Sequence, residues 1–96
     1  MNSSHIMMNG ESFTIPGAFV GDRLDTLIES ARLVDALLSD SDFHGEEARV
    51  IVPTSDEDIL MFLCGLVGLT DSGLRAQFNT NSPDSGYSTI FVDEKA

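Results

Sequence analysis

The chain has no tryptophan, one cysteine, three prolines and only five lysines and arginines, against sixteen aspartates and glutamates. Each shortage excludes something. A single thiol rules out the even set of cysteines that staples small secreted domains. Cys64 stands in an apolar run, where it is expected to be a small buried hydrophobe, and it suits a reducing interior. The formal charge of -11 repels nucleic acid and anionic membrane and favours a basic partner. No apolar run approaches the eighteen or so residues of a membrane span, and no basic-then-apolar leader precedes a small-residue cleavage site. The expectation is a soluble, cytoplasmic protein. The glycines do not cradle a phosphate, because Gly65 and Gly68 follow a helix start rather than a strand, and Gly17 and Gly21 lack the third Gly and the Lys of that loop.

What is present is enough apolar material for one core. Leu, Ile, Val and Phe make up 28 of the 96 residues, above the level at which a highly charged chain stays disordered. Residues 1–7, MNSSHIM, resemble a cloning junction and are set aside as an expression-tag remnant, His5 with them, leaving 8–96 as a single globular domain.

The stretch 59–69, ILMFLCGLVGL, contains no charged or polar side chain. A helix of that composition belongs inside a core, covered around most of its circumference. Thr54 with Glu57, or Ser55 with Asp58, has capping-box spacing at its start, and Gly65 and Gly68 suggest the close crossing of another backbone.

Around this helix the other segments take their places. Residues 11–15, ESFTI, alternate as a short strand and stop at Pro16-Gly17, a pair suited to a type II turn. Residues 22–39 place Leu24, Leu27, Ile28, Ala31, Val34, Leu37 and Leu38 at spacings of three and four, an amphipathic helix. Residues 48–53, ARVIVP, suggest a strand buried on both faces and ended by Pro53. Leu74 and Phe78, at i and i+4, fit a short helix, and residues 87–92, YSTIFV, are the last strand before a solvated tail. The predicted fold is a small two-layer α/β or α+β domain, with about three strands and with two main helices and one short helix on one face.

Candidate chemistry is thin. Asp40, Asp42 and Gly45 match an EF-hand loop at positions one, three and six, but position twelve, which needs a bidentate Glu, is Ile51. Asp71-Ser72-Gly73-Leu74 resembles the Asp-Ser-Leu of acyl carrier proteins, interrupted by a glycine, and a helix N-cap accounts for the same residues. Cys64 has no base near it in sequence, and beyond His5 the only histidine is His44. The expectation is a non-enzymatic protein with no cofactor and no bound metal.

The charge pattern is the most informative feature. Acids at the start of each helix complement the helix dipole, but Asp40, Asp42, Glu46 and Glu47 follow a helix C-terminus, where a cation would be expected. With Glu29 and Asp35 they are predicted to form a negative surface that pairs with Lys and Arg of a partner, with Phe43 as an apolar anchor amid the charges. In size, charge and lack of catalytic motifs the chain resembles small phage-encoded inhibitors of bacterial defence, such as anti-CRISPR proteins and DNA mimics. That resemblance implies an acidic inhibitor occupying a basic, nucleic-acid-binding surface, in a host bacterial cytoplasm if the protein is phage-encoded. Two alternatives remain: a small interaction module or homodimer associating through an apolar surface, and an immunity or antitoxin protein using the same electrostatics.

Overall fold

The computed structural model describes residues 5–39, 47–82 and 85–95, with the side chains of 81 and 82 left out. Two helices and five strands form two antiparallel sheets. The first sheet is a hairpin of β1 (His5–Met8) and β2 (Glu11–Thr14), joined by Asn9 and Gly10. Both turn residues have positive φ, 57° and 79°, the left-handed geometry of a type I′ turn, and Asn-Gly adopts it at little cost. A residue that the sequence sets aside thus enters the fold, since Ile6 is buried in the core together with Met8.

After β2 the chain makes a single 3-10 turn, Gly17–Phe19, with Pro16 at its start. The expected type II turn is absent, because Gly17 takes an ordinary negative φ and continues into the turn. Helix α1 (Leu24–Leu38) then buries Leu27, Ala31 and Val34, as its three-and-four spacing predicts. Strand β3 (Ala48–Val52), helix α2 (Glu57–Leu69), β4 (Leu74–Ser82) and β5 (Tyr87–Glu94) follow. The second sheet has the order β3-β5-β4, so β3, α2 and β4 form a crossover unit with β5 inserted between its two strands. Both helices cover one face of this sheet, and Ile59, Leu60, Leu63 and Val67 of α2 pack in one cluster with Val52, Ile90 and Val92.

Several sequence expectations need correction. Leu74 to Phe78 is strand, not the short helix. A spacing of four satisfies a period of two as well as one of 3.6, and Ala76 between them completes the alternation against Arg75, Gln77 and Asn79. Gly73, at φ 75°, turns the chain into that strand. β3 is not buried on both faces: Val52 faces the helices while Ile51 is 61% exposed, because only one side of the sheet is covered. A Cβ added at Gly65 or Gly68 would meet nothing within 4 Å outside α2 itself, so among the described residues these glycines mark no crossing of another backbone. Met61 and Leu69, on the same side of α2 as Gly65, are 63% and 71% exposed, and the helix is therefore open along one meridian. The tail is not wholly solvated either. Asp93 and Glu94 extend β5, and Lys95 Nζ donates to Gly68 O at 2.8 Å, a cation at the α2 C-terminus where the dipole favours one.

Candidate functional site

Both helices begin at the same end of the molecule, and Arg23 joins them. Its Nε donates to Asp56 Oδ2 at 2.8 Å and its Nη2 to Asp56 Oδ1 at 2.9 Å, a bidentate fork, with a further bond to Asp58 Oδ2 at 3.2 Å. The guanidinium lies over the Phe19 ring, 4.7 Å from its centroid, and Phe19 in turn packs on Phe62 of α2 at 5.3 Å. The same carboxylate caps α2 by accepting the Asp58 N–H at 3.0 Å, while Asp56 N donates to Thr54 Oγ1. The cap is thus Asp56, just after the two candidates Thr54 and Ser55 expected from sequence, because Asp56 both caps α2 and grips Arg23. The Arg23 guanidinium holds the Asp56 carboxyl below its ordinary pKa, and Asp56 in turn raises that of Arg23. Around this hub Asp22, Asp25 and Glu29 on the α1 side and Glu57 and Asp58 on the α2 side are exposed. Dipole complementarity accounts for most of these acids from the sequence alone, but the convergence of the two groups appears only in the fold.

The acids expected to bind a partner are dispersed among the described residues. Glu29 is exposed on α1, one turn beyond Asp25. Asp35 is half-buried on another side of that helix and has a structural duty, accepting the Asn9 N–H at 2.8 Å and so fixing the hairpin turn. Glu47 is exposed just before β3, 3.4 Å from Arg49, and lines a shallow pocket of about 250 Å³ with Gln77, Phe91 and Asp93 on the open face of the sheet. Asp40, Asp42, Phe43 and Glu46 lie outside the described residues, as does the calcium-loop reading built on 40–46.

Cys64 is partly buried, and desolvation pushes its pKa up to about 11, which leaves a thiol rather than a thiolate at neutral pH. Ser72 is engaged locally: its Oγ lies 2.8 Å from Thr70 Oγ1 and accepts the Leu74 N–H at 3.2 Å, and a strand follows it where a carrier protein has a helix. Among the described residues no three metal-ligating side chains come together, and no helix is long and apolar enough to cross a membrane.

Four of the five basic side chains are used within the chain. Arg23 binds Asp56 and Asp58, Arg49 binds Glu47, Arg75 binds Asp93 at 2.8 Å, and Lys95 binds Gly68 O. Comparison with protein-family models, with curated proteins and with solved structures gives no match to this chain.

Proposed function

We propose that this is a non-enzymatic acidic binding protein that occupies a basic, nucleic-acid-binding surface of a partner protein, in the manner of phage anti-CRISPR and other anti-defence inhibitors. The observation that carries the reading is the distribution of charge: four of the five cations are engaged within the chain, while Asp22, Asp25, Glu29, Glu57 and Asp58 face solvent at one end. Carboxylates three or four residues apart on a helix stand about 5–6 Å from one another, comparable to phosphates along a strand. The Arg23 fork fixes the relation between the two helix starts, so little order is lost when a basic groove closes on them. Glu47, on the open face of the sheet, and Asp40, Asp42, Phe43 and Glu46 are partner-binding candidates from the sequence pattern alone, and the compartment this reading implies is the bacterial cytoplasm.

The test is capture of partners from bacterial lysate, followed by displacement of labelled nucleic acid from whatever is captured. Two variants are compared with the native chain: Asp25→Lys with Glu29→Lys and Glu57→Lys, and Asp40→Lys with Asp42→Lys, Glu46→Lys and Glu47→Lys. The expected result is displacement by the native chain, loss of it in at least one variant, and weakening as ionic strength rises toward 0.5 M, where the Debye length falls below about 5 Å. Undiminished binding in both variants rejects the reading.

A second reading, an apolar interaction module, is favoured by the exposed Met61 and Leu69 of α2. Apolar association persists or strengthens with salt, so the salt series separates the two.

A further inference from the structure

The two edges of the three-stranded sheet differ. β3 is five residues long, is preceded by Glu47 and is ended by Pro53, the devices that blunt an edge against pairing. β4 is nine residues long, its other side meets no strand among the described residues, and from Ser72 to Thr80 its only charge is Arg75. A chain carrying a charge of -11 repels its own copies over most of its surface, and β4 is where that repulsion is least.

The hydrogen-bond ladder fixes which groups β4 offers. Lys95 N donates to Gly73 O at 3.0 Å, and this pair continues the β4–β5 register of Leu74↔Glu94 and Arg75↔Asp93. Directly opposed pairs alternate between bonded and non-bonded in an antiparallel ladder. Gly73, Arg75, Gln77 and Asn79 therefore turn their main-chain groups toward β5, and Leu74, Ala76, Phe78 and Thr80 turn theirs outward. Those four also carry the side chains of the helix-covered face. Ala76 and Phe78 are only partly buried there, whereas their neighbours Val92 and Ile90 on β5 are fully buried.

We propose that β4 pairs antiparallel with β4 of a second copy of this chain, joining the two three-stranded sheets into one of six strands about a two-fold axis at Gln77. Three constraints select this register. Inner-face residues must meet inner-face residues, because a one-residue slip would turn every side chain to the wrong face. The ladder is regular from Leu74 to Thr80 and shifts between Thr80 and Ser82, and Gln77 is the midpoint of the regular part. A two-fold at Arg75 would set two guanidinium groups against each other. Centred on Gln77, Leu74 meets the copy's Thr80 and Ala76 meets its Phe78, each pair exchanging both hydrogen bonds, and Arg75 meets an uncharged Asn79. The axis is perpendicular to the sheet, so the helices of both copies stay on one face. α2, which packs on β4, then has its own copy as a neighbour on that face, and its exposed Met61 and Leu69, beside Gly65 and Gly68, are apolar surface available to meet it.

Sedimentation of the full chain across a concentration series, at low and high salt, is the first measurement. The expected result is a monomer–dimer equilibrium that shifts toward dimer as salt rises, the opposite sign to binding of a basic partner. Ala76→Pro removes only an outward N–H and is expected to abolish the dimer; Gln77→Glu, at an exposed position, sets two carboxylates across the axis and is expected to weaken it severalfold. In a Cys64→Ala background, Gln77→Cys places two thiols at a non-bonded pair, with Cα atoms about 4.5 Å apart, within reach of a disulfide. Mild oxidation should link it as a dimer, while Asn79→Cys links only when mixed with Arg75→Cys. A native chain that remains monomeric at every concentration overturns the proposal and leaves the edge to a strand from another protein. So does a dimer that survives both Ala76→Pro and Gln77→Glu, or one in which Gln77→Cys fails to link.

Discussion

Where the two helices begin, Arg23 meets Asp56 at side chains that are 34% and 32% exposed; where α2 lies on the sheet, Leu60, Leu63, Ile90 and Val92 share one core cluster with no exposure. Ion pairs at the first kind of position contribute little, because water and salt screen them and two long side chains lose freedom in forming them. Apolar burial at the second kind removes whole side chains from water, at about 25 cal/mol per Å². The contrast implies that the fold rests on the α2 side. The charges at the helix starts complement dipoles and orient two elements, which leaves that end free to serve recognition.

The sharpest test of that division is Leu63→Ala. The side chain is wholly buried in the core cluster, and its truncation should cost about 2–5 kcal/mol in urea unfolding. A loss below about 1 kcal/mol would mean that α2 is not the centre of the core. Ser30→Ala tests the same core with the opposite sign. Its hydroxyl is fully buried on α1 and has no hydrogen-bond partner among the described residues, so the residue carries a desolvation cost with nothing in return. Alanine should stabilise by about 1 kcal/mol or more, by removing that cost and improving helix propensity.

Gly65→Ala comes next in size. Beyond the helix's own backbone no atom of the described residues lies within 4 Å of the added carbon, and the change should stabilise the monomer by roughly 0.5–1 kcal/mol through lower chain entropy and better helix propensity. It also sharpens the comparison: if copies of α2 meet, the same methyl group enters their contact, so a rise in unfolding stability would accompany a change in dimer affinity. A purely solvated meridian gives the first effect alone.

The sequence disclosed the elements better than their edges. The period of 3–4 in Leu24 to Leu38 and the apolar run of α2 are strong signals, and both helices lie within the expected spans. β4 was obscured because Leu74 and Phe78 fit two periods, and only the full alternation through Asn79 decides between them. The Asn9-Gly10 turn is a strong hairpin signal, and it was lost when the residues ahead of it were set aside. The site was less legible. Acids at each helix start could be seen, but the convergence of the two starts depends on Arg23 reaching Asp56 across 33 residues, a contact no local pattern encodes. Asp35 illustrates the reverse case, a carboxylate that looked available and is bonded to Asn9 N.

The smallest expected effect is the most diagnostic of the acidic end. Arg23→Gln removes both the fork and the guanidinium over the Phe19 ring, and pH separates the two. Arg23 lowers the pKa of Asp56 from its ordinary value of 3.8, and a carboxylate depressed in the folded state adds stability above its unfolded pKa. That contribution is lost as pH falls through the folded value. The stability difference between native chain and variant should therefore be constant from neutral pH down to about 5, shrink below 4 and vanish once Asp56 is protonated in both states. Added salt at pH 7 should reduce it as well, because both groups are partly exposed. A difference that persists unchanged into strong acid would assign the role of Arg23 to its packing on Phe19. The two helix starts would then be held apolarly, like the α2 side, and the contrast between the two regions would narrow to their surfaces.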